Sequence, residues 1–286
     1  MTRRILCGRM KRGMRTDYPT KRLAPDTYVL NDFGFANCYL LLGDEAALLI
    51  DCGMGIGDIE GAVRKITDKP LIVVGTHGHV DHIGGSGAFE KIYLHRDDCG
   101  KNFRSQTSTF IRKAFLIAGK SFVSEGITLR DVVKFGRRPE VVEILSGHVF
   151  DLGGRKVRVE HSPGHTLGSI VLLDDKTKIA FVGDNMSVSE WLFLPHATTV
   201  EKWIESARRI RKIADDYALY WGHERGLIST DIVDADIRFA EEILSRYKRN
   251  RLLPHVKCYP KNDRVKGSIV FKENRIFEKK KQKNAR

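Results

Sequence analysis

Six consecutive residues, from His77 to His82, carry three imidazoles and one carboxylate in the order His-Gly-His-Val-Asp-His. In an extended segment, residues two apart point to the same side, so His77, His79 and Asp81 can converge. Neutral imidazoles and carboxylates are the side chains that hold zinc, iron or manganese. Gly78 has no side chain and lets the segment fold closely over an ion. The run therefore predicts a metal centre.

This run fills one coordination shell only in part, so we expect further ligands from distant parts of the chain. The candidates are His165 in the turn Ser-Pro-Gly-His-Thr, Asp184 after Val-Gly, and His223 after Trp-Gly. Asp51 also follows an apolar run. Ordinary polar or packed positions are expected for the remaining histidines, which are His95, His148, His161, His196 and His255.

Apolar runs and turns predict the elements that position these residues. Strands are expected at 27–30, 38–42, 46–50, 71–74, 156–160, 170–173, 179–182 and 217–220, helices at 58–66, 198–215 and 231–249, and a terminal hairpin of 268–271 with 275–277. Asp51, His77, Asp184 and His223 each come just after one of these strands. Loops at one edge of a sheet are common places for a site, so we expect the four residues to meet there.

Residues 97–145 have a less regular pattern. Their apolar residues favour helices, but Gly119, Gly126 and Gly136 interrupt the pattern. The segment lies between two parts of the predicted metal centre, so it is either a lid or substrate wall, or an ordinary helical connection. The sequence leaves both interpretations open.

The ordered set of candidate residues resembles the metallo-β-lactamase superfamily. The run from Thr76 to Gly85, with Asp51 before it and His165, Asp184 and His223 after it, contains the motifs of that family in order. The segments at 162–166 and 222–224 are most similar to its glyoxalase II-type branch. This resemblance implies an α/β fold, a four-layer αββα sandwich with two metal ions in a cleft between the sheets.

The resemblance also implies a role for each candidate. The implied ligands are His77, His79 and His165 for one ion, Asp81, His82 and His223 for the other, and Asp184 between the two. Asp51 would orient a ligand imidazole or loop. Asp81 and Asp184 are the predicted catalytic residues, and Asp81 would pass a proton to the leaving group. Two divalent ions are expected, zinc before iron or manganese.

Two such ions would activate one water molecule for attack on a carbonyl group. We therefore expect a hydrolase of a small ester, thioester or lactone. Antibiotic hydrolysis and redox chemistry are not favoured, because Asp184 and His79 replace the cysteine and glutamate that the corresponding branches carry. A phosphodiesterase or nuclease of the same superfamily is the alternative. A non-catalytic binding protein is a third hypothesis, against which the complete ligand set argues.

The net charge of +13 is concentrated at the two ends of the chain. Residues 1–22 carry eight basic side chains against Asp17 alone, and residues 272–286 carry seven against two acidic ones. We therefore predict a basic N-terminal arm (1–22), a hydrolase domain (23–271) and a basic C-terminal tail (272–286). A nucleic-acid groove would place the excess charge on the folded body. A small-molecule substrate is therefore expected rather than nucleic acid, and a homodimer is left open.

The five cysteines are widely spaced, with no Cys-x-x-Cys pair. That pattern argues against a disulfide framework and fits a reducing compartment. No apolar run approaches the roughly 18–20 residues of a membrane helix, and no secretory signal is recognisable. The expectation is a cytoplasmic protein without a membrane partner.

Overall fold

The computed structural model describes residues 14–224, 226–247, 255–260 and 268–278. Its first sheet has seven strands: β1 (Thr20–Ala24), β2 (Thr27–Asn31), β3 (Asn37–Leu42), β4 (Ala47–Ile50), β5 (Leu71–Val74), β6 (Lys91–His95) and β7 (Glu140–Ile144). These strands are hydrogen-bonded in chain order. The pairs from β1 to β4 are antiparallel, and those from β4 to β7 are parallel.

The second sheet has six strands: β8 (Val149–Asp151), β9 (Lys156–His161), β10 (Ile170–Asp174), β11 (Ile179–Gly183), β13 (Ala218–Trp221) and β14 (Leu227–Ile228). Their order across the sheet is β14-β13-β11-β10-β9-β8. A small third sheet places β16 (Ser268–Lys272) between β12 (Ser189–Leu192) and β15 (Val256–Pro260).

Within the described ranges, six α-helices accompany the sheets: α1 (Ile59–Arg64), α2 (Val80–Ile83), α3 (Lys101–Gln106), α4 (Thr109–Ala118), α5 (Val200–Ile213) and α6 (Thr230–Arg246). Side-chain oxygens cap the first turns of three of them. Asp58 accepts from the Gly61 amide, Ser108 from Ile111 and Thr199 from Lys202, and each bond satisfies an amide that the helix itself leaves unpaired. In the part of the chain described, no helix is long and apolar enough to cross a membrane.

Alternate residues of the central strands face two different cores, as the pleat of a strand requires. In the first sheet, Leu40 packs towards the helices α1 to α4, and its neighbour Leu41 packs towards the second sheet. In the second sheet, Leu172 faces the first sheet and Leu173 faces α5 and α6. The layers are therefore helices, sheet, sheet, helices, which confirms the predicted αββα sandwich.

One buried ion pair joins the two sheets. The Arg155 guanidinium donates to both carboxylate oxygens of Asp174, at 3.1 and 2.6 Å, and neither side chain is exposed. It also donates to the Leu42 carbonyl and the Thr27 hydroxyl of the first sheet. Asp174 ends β10, whereas the candidate ligands follow the opposite ends of the strands, so this link lies at the sheet edge away from them.

The predicted strands and helices are present, with small differences at their ends. Helix α5, predicted over 198–215, spans Val200–Ile213 and is capped by Thr199. The predicted terminal hairpin was wrong. Residues 268–272 pair instead with β12 and β15, and a short 3₁₀ turn, Glu273–Arg275, takes the place of the expected second strand. Strand β12 lies far away in sequence, which is why local patterning did not show this pairing.

The basic ends of the chain are described only in part, since residues 1–13 and 279–286 lie outside the described residues. Residues 20–22 belong to β1, and Lys272 ends β16. The sheets therefore begin and end inside the two basic segments. The division into arm, domain and tail stays a prediction.

Asp32 provides a stability prediction. Its carboxyl group is fully buried and accepts from the Met54 amide at 2.6 Å, and burial raises its pKa to about 7. A carboxyl with a raised pKa favours folding while protonated, and this contribution is lost as the pH rises through about 7. Between pH 5 and pH 9 we expect the stability of the native protein to fall by about 2–3 kcal/mol relative to Asp32→Asn. Urea denaturation of both metal-free proteins measures the free energy of unfolding. The prediction would be contradicted if this free energy changed with pH in the same way in the two proteins.

Candidate metal centre

The candidate ligands lie in loops at one edge of the two sheets. Asp51 follows β4, and the segment from His77 to His82 follows β5 and ends in α2. His165 lies between β9 and β10, Asp184 follows β11, and His223 follows β13. The prediction that strand ends bring these residues to one edge is therefore confirmed.

Three imidazoles form the first group, namely His77, His79 and His165. One nitrogen from each lies within 4.8 Å of the others. The closest approach is 2.8 Å, between Nδ1 of His79 and Nε2 of His165. All three rings cross nearly edge-on, which points their nitrogens into a common space. This group has the donor set of a tetrahedral zinc site with one position left open.

The second group contains Asp81, His82 and His223, whose ligand atoms also lie within 4.8 Å of one another. The Oδ2 atom of Asp81 is 3.8 Å from Nε2 of His82 and 3.7 Å from Nε2 of His223. The other nitrogen of His223, Nδ1, is hydrogen-bonded to the Phe35 carbonyl. A bond of this kind fixes the ring so that Nε2 points into the group.

Asp184 lies between the two groups. Its Oδ2 atom is 2.9 Å from Nε2 of His223, 3.3 Å from Nε2 of His82 and 3.8 Å from Nε2 of His165. One carboxylate oxygen therefore approaches an imidazole of the first group and two of the second. This is the position that the predicted bridging role requires.

Asp51 contacts His82 directly. Its Oδ2 atom is 2.8 Å from Nδ1 of His82 and also accepts from the Thr76 hydroxyl, while Oδ1 accepts from the Thr76 amide. Asp51 has a φ of 62°, a left-handed backbone conformation that is unusual outside glycine and asparagine. Such strained residues are held by their surroundings and cluster at functional sites. The geometry suits the predicted orienting role, which stays a prediction.

Sequence analysis missed Asp98, a fully buried residue that connects two of the ligand loops. Its carboxylate accepts from the Gly78 amide at 2.7 Å, from the Thr166 hydroxyl at 2.6 Å and from the Gly168 amide at 3.2 Å. Gly78 lies between His77 and His79, and Thr166 follows His165. Asp98 therefore holds the whole first group in place, and no sequence spacing relates it to the residues it binds.

We expect Asp98→Ala to lower the affinity for zinc by about 10- to 100-fold, the usual cost of losing a residue that orients metal ligands. Competition with a chromophoric chelator measures the affinity. Asp97→Ala is the matched control, since the Asp97 carboxylate is half-exposed and bonds to neither ligand loop. Equal affinities of the two variants would contradict the role of Asp98.

Two glycines let the ligand loops approach closely. A Cβ atom on Gly222 would lie 2.4 Å from Oδ1 of Asp184 and 2.5 Å from Cε1 of His82. One on Gly164 would lie 1.9 Å from Oδ1 of Asn185, the atom that accepts from the His165 amide. Close packing therefore requires a glycine immediately before His165 and immediately before His223.

The centre leaves several buried polar atoms without hydrogen-bond partners among the described residues. They include Nε2 of His77, Nε2 of His82 and Oδ1 of Asp184. Buried polar atoms of this kind nearly always have partners, and a missing ion is one ordinary reason for an exception. The donor set and these unpartnered atoms therefore fit divalent cations.

The two groups differ in charge. Burial lowers the pKa of His77, His79 and His165, to about 3 for His165. Their rings are therefore neutral near pH 7, the form that binds a metal.

Burial would also lower the pKa of His82 and His223, but the neighbouring Asp184 and Asp81 raise it. Burial would raise the pKa of Asp184, yet His223 and His82 hold it well below its usual value. Without a cation these imidazoles hold protons that balance the carboxylates. A divalent cation would displace those protons.

His95 and His161 lie close to Asp97 in a further group outside the centre. The two rings stack at 4.0 Å, and Nε2 of His161 is 2.8 Å from the Leu167 carbonyl. The two rings thus have partners in each other and in the Leu167 carbonyl, and the expectation that both are ordinary packed or polar residues stays a prediction.

Residues 97–145 contact both parts of the centre. Asp98 holds the first group, as described above, and the Phe115 ring of α4 packs at 5.8 Å on Phe35, whose carbonyl binds His223. The last residues of the segment, 140–144, form the edge strand β7, which sequence analysis did not predict. The segment thus lies along the centre, and whether it moves as a lid stays open.

Comparison with known proteins is consistent with this geometry. The profile of the metallo-beta-lactamase superfamily matches residues 31–223, a range that contains all the residues of both groups. Within curated proteins, the chain is similar to the acyl-coenzyme A thioesterase MBLAC2 of Bos taurus. The two are 30% identical over 216 residues, which are 66% of this chain and 75% of that protein.

The chain is also similar to the hydroxyacylglutathione hydrolase GloC of Haemophilus influenzae, with 28% identity over 152 residues, 52% of this chain and 65% of that protein. Among solved structures, a metallo-beta-lactamase family protein of Thermus thermophilus has a TM-score of 0.57 and 21% identity. The match covers 82% of this chain and 85% of that one. This structural similarity shows that the two proteins share a fold.

Proposed function

The chain belongs to the metallo-β-lactamase superfamily, and from that premise we propose that it is a metal-dependent hydrolase that cleaves thioesters. The position of Asp184 supports the proposal most strongly. Its Oδ2 atom lies within 3.8 Å of an imidazole nitrogen of His82, His165 and His223, the arrangement that a two-ion centre needs. The similarity to an acyl-coenzyme A thioesterase and a hydroxyacylglutathione hydrolase favours a thioester over a lactone or a simple ester.

The residues that would hold two cations are those of the two groups described above. The first ion would bind His77, His79 and His165, the second would bind Asp81, His82 and His223, and Asp184 would contact both. Divalent ions there would supply Lewis-acid activation of water and of the substrate carbonyl. Zinc suits this mixture of imidazoles and carboxylates best, and iron or manganese would also be accepted.

The chain's own residues then have distinct tasks. Asp51 fixes the ring of His82 through Nδ1, and the Phe35 carbonyl does the same for His223. The side chain of Asp81 is largely buried but retains 11% exposure, so solvent reaches part of it. Water adds to the carbonyl carbon, the carbon–sulfur bond breaks, and the Asp81 carboxylate carries the proton from the water to the departing thiolate. No serine or cysteine nucleophile is required.

A substrate panel tests the proposal. The metal-reconstituted protein is assayed with an acyl-coenzyme A, an acyl-glutathione, a lactone, an aryl ester and a phosphodiester. We expect one of the two thioesters to have a kcat/KM at least about tenfold above every non-thioester, a preference of about 1.4 kcal/mol. Activity that is highest on the phosphodiester would instead assign the nuclease branch, and highest activity on the lactone would also overturn the proposal.

A further inference from the structure

A cavity of about 420 Å³ is lined by residues that lie outside the metal centre. It is bordered by Gly57, in the loop that follows β4, by helix α4, and by residues 129–134. Its lining carries four basic side chains and one acidic one, which are Arg15, Lys113, Arg130, Lys134 and Asp131. The lining is therefore strongly positive, although residues 23–271 as a whole are nearly balanced in charge.

Most of this positive charge is not neutralised locally. Within the described ranges, Lys113, Arg130 and Lys134 have no carboxylate at ion-pair distance. The carboxylate of Asp131 accepts instead from the amide and hydroxyl of Thr128, both at 2.8 Å. Arg15 pairs with Asp17 at 3.2 Å in an exposed and therefore weak ion pair. Unpaired cations that converge on a concave surface attract anions.

The buried Arg112 joins this cavity to the metal centre. It precedes Lys113 in α4, donates to the carbonyls of Gly55 and Val133, and lies against Gly84 at the end of α2. Helix α2 carries Asp81 and His82. The cavity wall and the second ligand group are thus parts of one packed unit.

The distance between the cavity and the centre is bounded by the chain. Gly57 is six residues after Asp51, so their Cα atoms are at most about 22 Å apart. The loop between them is not fully extended, since the four residues Asp51, Gly53, Gly55 and Gly57 all have positive φ angles. The true separation is therefore shorter. A separation below this bound is within the span of a ligand that has an anionic end and a long flexible arm.

We propose that this cavity binds the phosphates of a coenzyme A thioester and so selects that class of substrate. The inference rests on the proposed thioester hydrolysis. Coenzyme A carries a diphosphate and a 3′-phosphate on its adenosine, and its pantetheine arm ends in the thiol that bears the acyl group. Lysine and arginine side chains bind phosphates through charge-assisted hydrogen bonds. A glutathione thioester carries carboxylates but no phosphate, and simple lactones and aryl esters carry no anionic group for these four cations.

Kinetics with a matched pair of substrates test the proposal. The full chain is assayed with an acyl-coenzyme A and with the same acyl group on pantetheine, which lacks the nucleotide and its phosphates. In Lys113→Ala/Lys134→Ala we expect KM for the coenzyme A thioester to rise about tenfold, the cost of two charged contacts, with kcat unchanged. The pantetheine thioester should be hydrolysed equally by both proteins. Lys176→Ala/Lys212→Ala, which removes two exposed lysines on the other side of the fold, is the control for net charge.

Calorimetry of adenosine 3′,5′-bisphosphate binding to the same proteins tests the phosphate site independently of the proposed reaction. We expect binding that weakens with added salt and is reduced about tenfold in Lys113→Ala/Lys134→Ala but not in the control. If no thioester is hydrolysed but the nucleotide binds in this way, the reaction is wrong and the phosphate site stands. Absence of nucleotide binding, or an equal affinity of Lys113→Ala/Lys134→Ala and the control for the nucleotide, would overturn the phosphate site.

Discussion

Asp184→Asn is expected to lower kcat/KM for thioester hydrolysis by about 10³-fold or more, because the several kcal/mol supplied by metal ions depend on their correct placement. The substitution keeps the shape of the side chain and removes its negative charge. That charge lies against three imidazoles from both ligand groups, at 2.9–3.8 Å. An amide group is a far weaker ligand and cannot hold two cations at this distance.

The assay needs a fold control, since Asp184 is buried among ionisable groups. Circular dichroism and thermal unfolding of Asp184→Asn should match those of the native protein loaded with the same metal. Asp97→Asn, which removes a carboxylate that is 45% exposed and lies outside both groups, should retain full turnover. Undiminished activity in Asp184→Asn would refute the bridging position.

Asp174→Ala is expected to destabilise the protein by about 3–5 kcal/mol, because it leaves the Arg155 guanidinium buried without its counter-charge. Both side chains are inaccessible to solvent, and Asp174 holds the guanidinium that also donates to Leu42 and Thr27 of the first sheet. A loss of this size is a large fraction of the stability of an ordinary domain. Urea denaturation at pH 7 measures it.

The neighbouring residue offers a matched control. Asp175 pairs with Arg158 at 3.0 Å, but both side chains are 42% exposed, so Asp175→Ala should cost no more than about 1 kcal/mol. The ion pair lies at the sheet edge away from the metal centre, so folded Asp174→Ala should retain the native kcat. Equal destabilisation by the two substitutions would contradict the role assigned to the buried pair.

The clustering of the candidate ligands was predictable from the sequence, because both their residue types and their positions after strands can be recognised locally. His77, His79 and Asp81 alternate along one segment, and Asp184 and His223 each follow an apolar strand. Strand patterns and turn residues can also be recognised from neighbouring residues alone. Most elements were therefore predicted from these patterns, and the sandwich from the family resemblance.

Features that depend on tertiary contact were not predictable. Asp98 binds Gly78 and Thr166 across 20 and 68 residues of sequence, and nothing adjacent to it marks that role. Strand β16 was assigned a local partner because a nearby turn suggested one, whereas its partners β12 and β15 are brought to it by the fold. Likewise, the sequence places the excess positive charge at the two ends of the chain. The cationic cavity forms only where α4 and residues 129–134 meet in the fold.

Anomalous diffraction from crystals grown with zinc measures the binding of two cations directly. We expect two peaks, one among the nitrogens of His77, His79 and His165, the other among the ligand atoms of Asp81, His82 and His223, with the Asp184 carboxylate contacting both. Zinc bound elsewhere, or no zinc at these side chains after reconstitution, would contradict the assignment of this chain as a two-metal hydrolase.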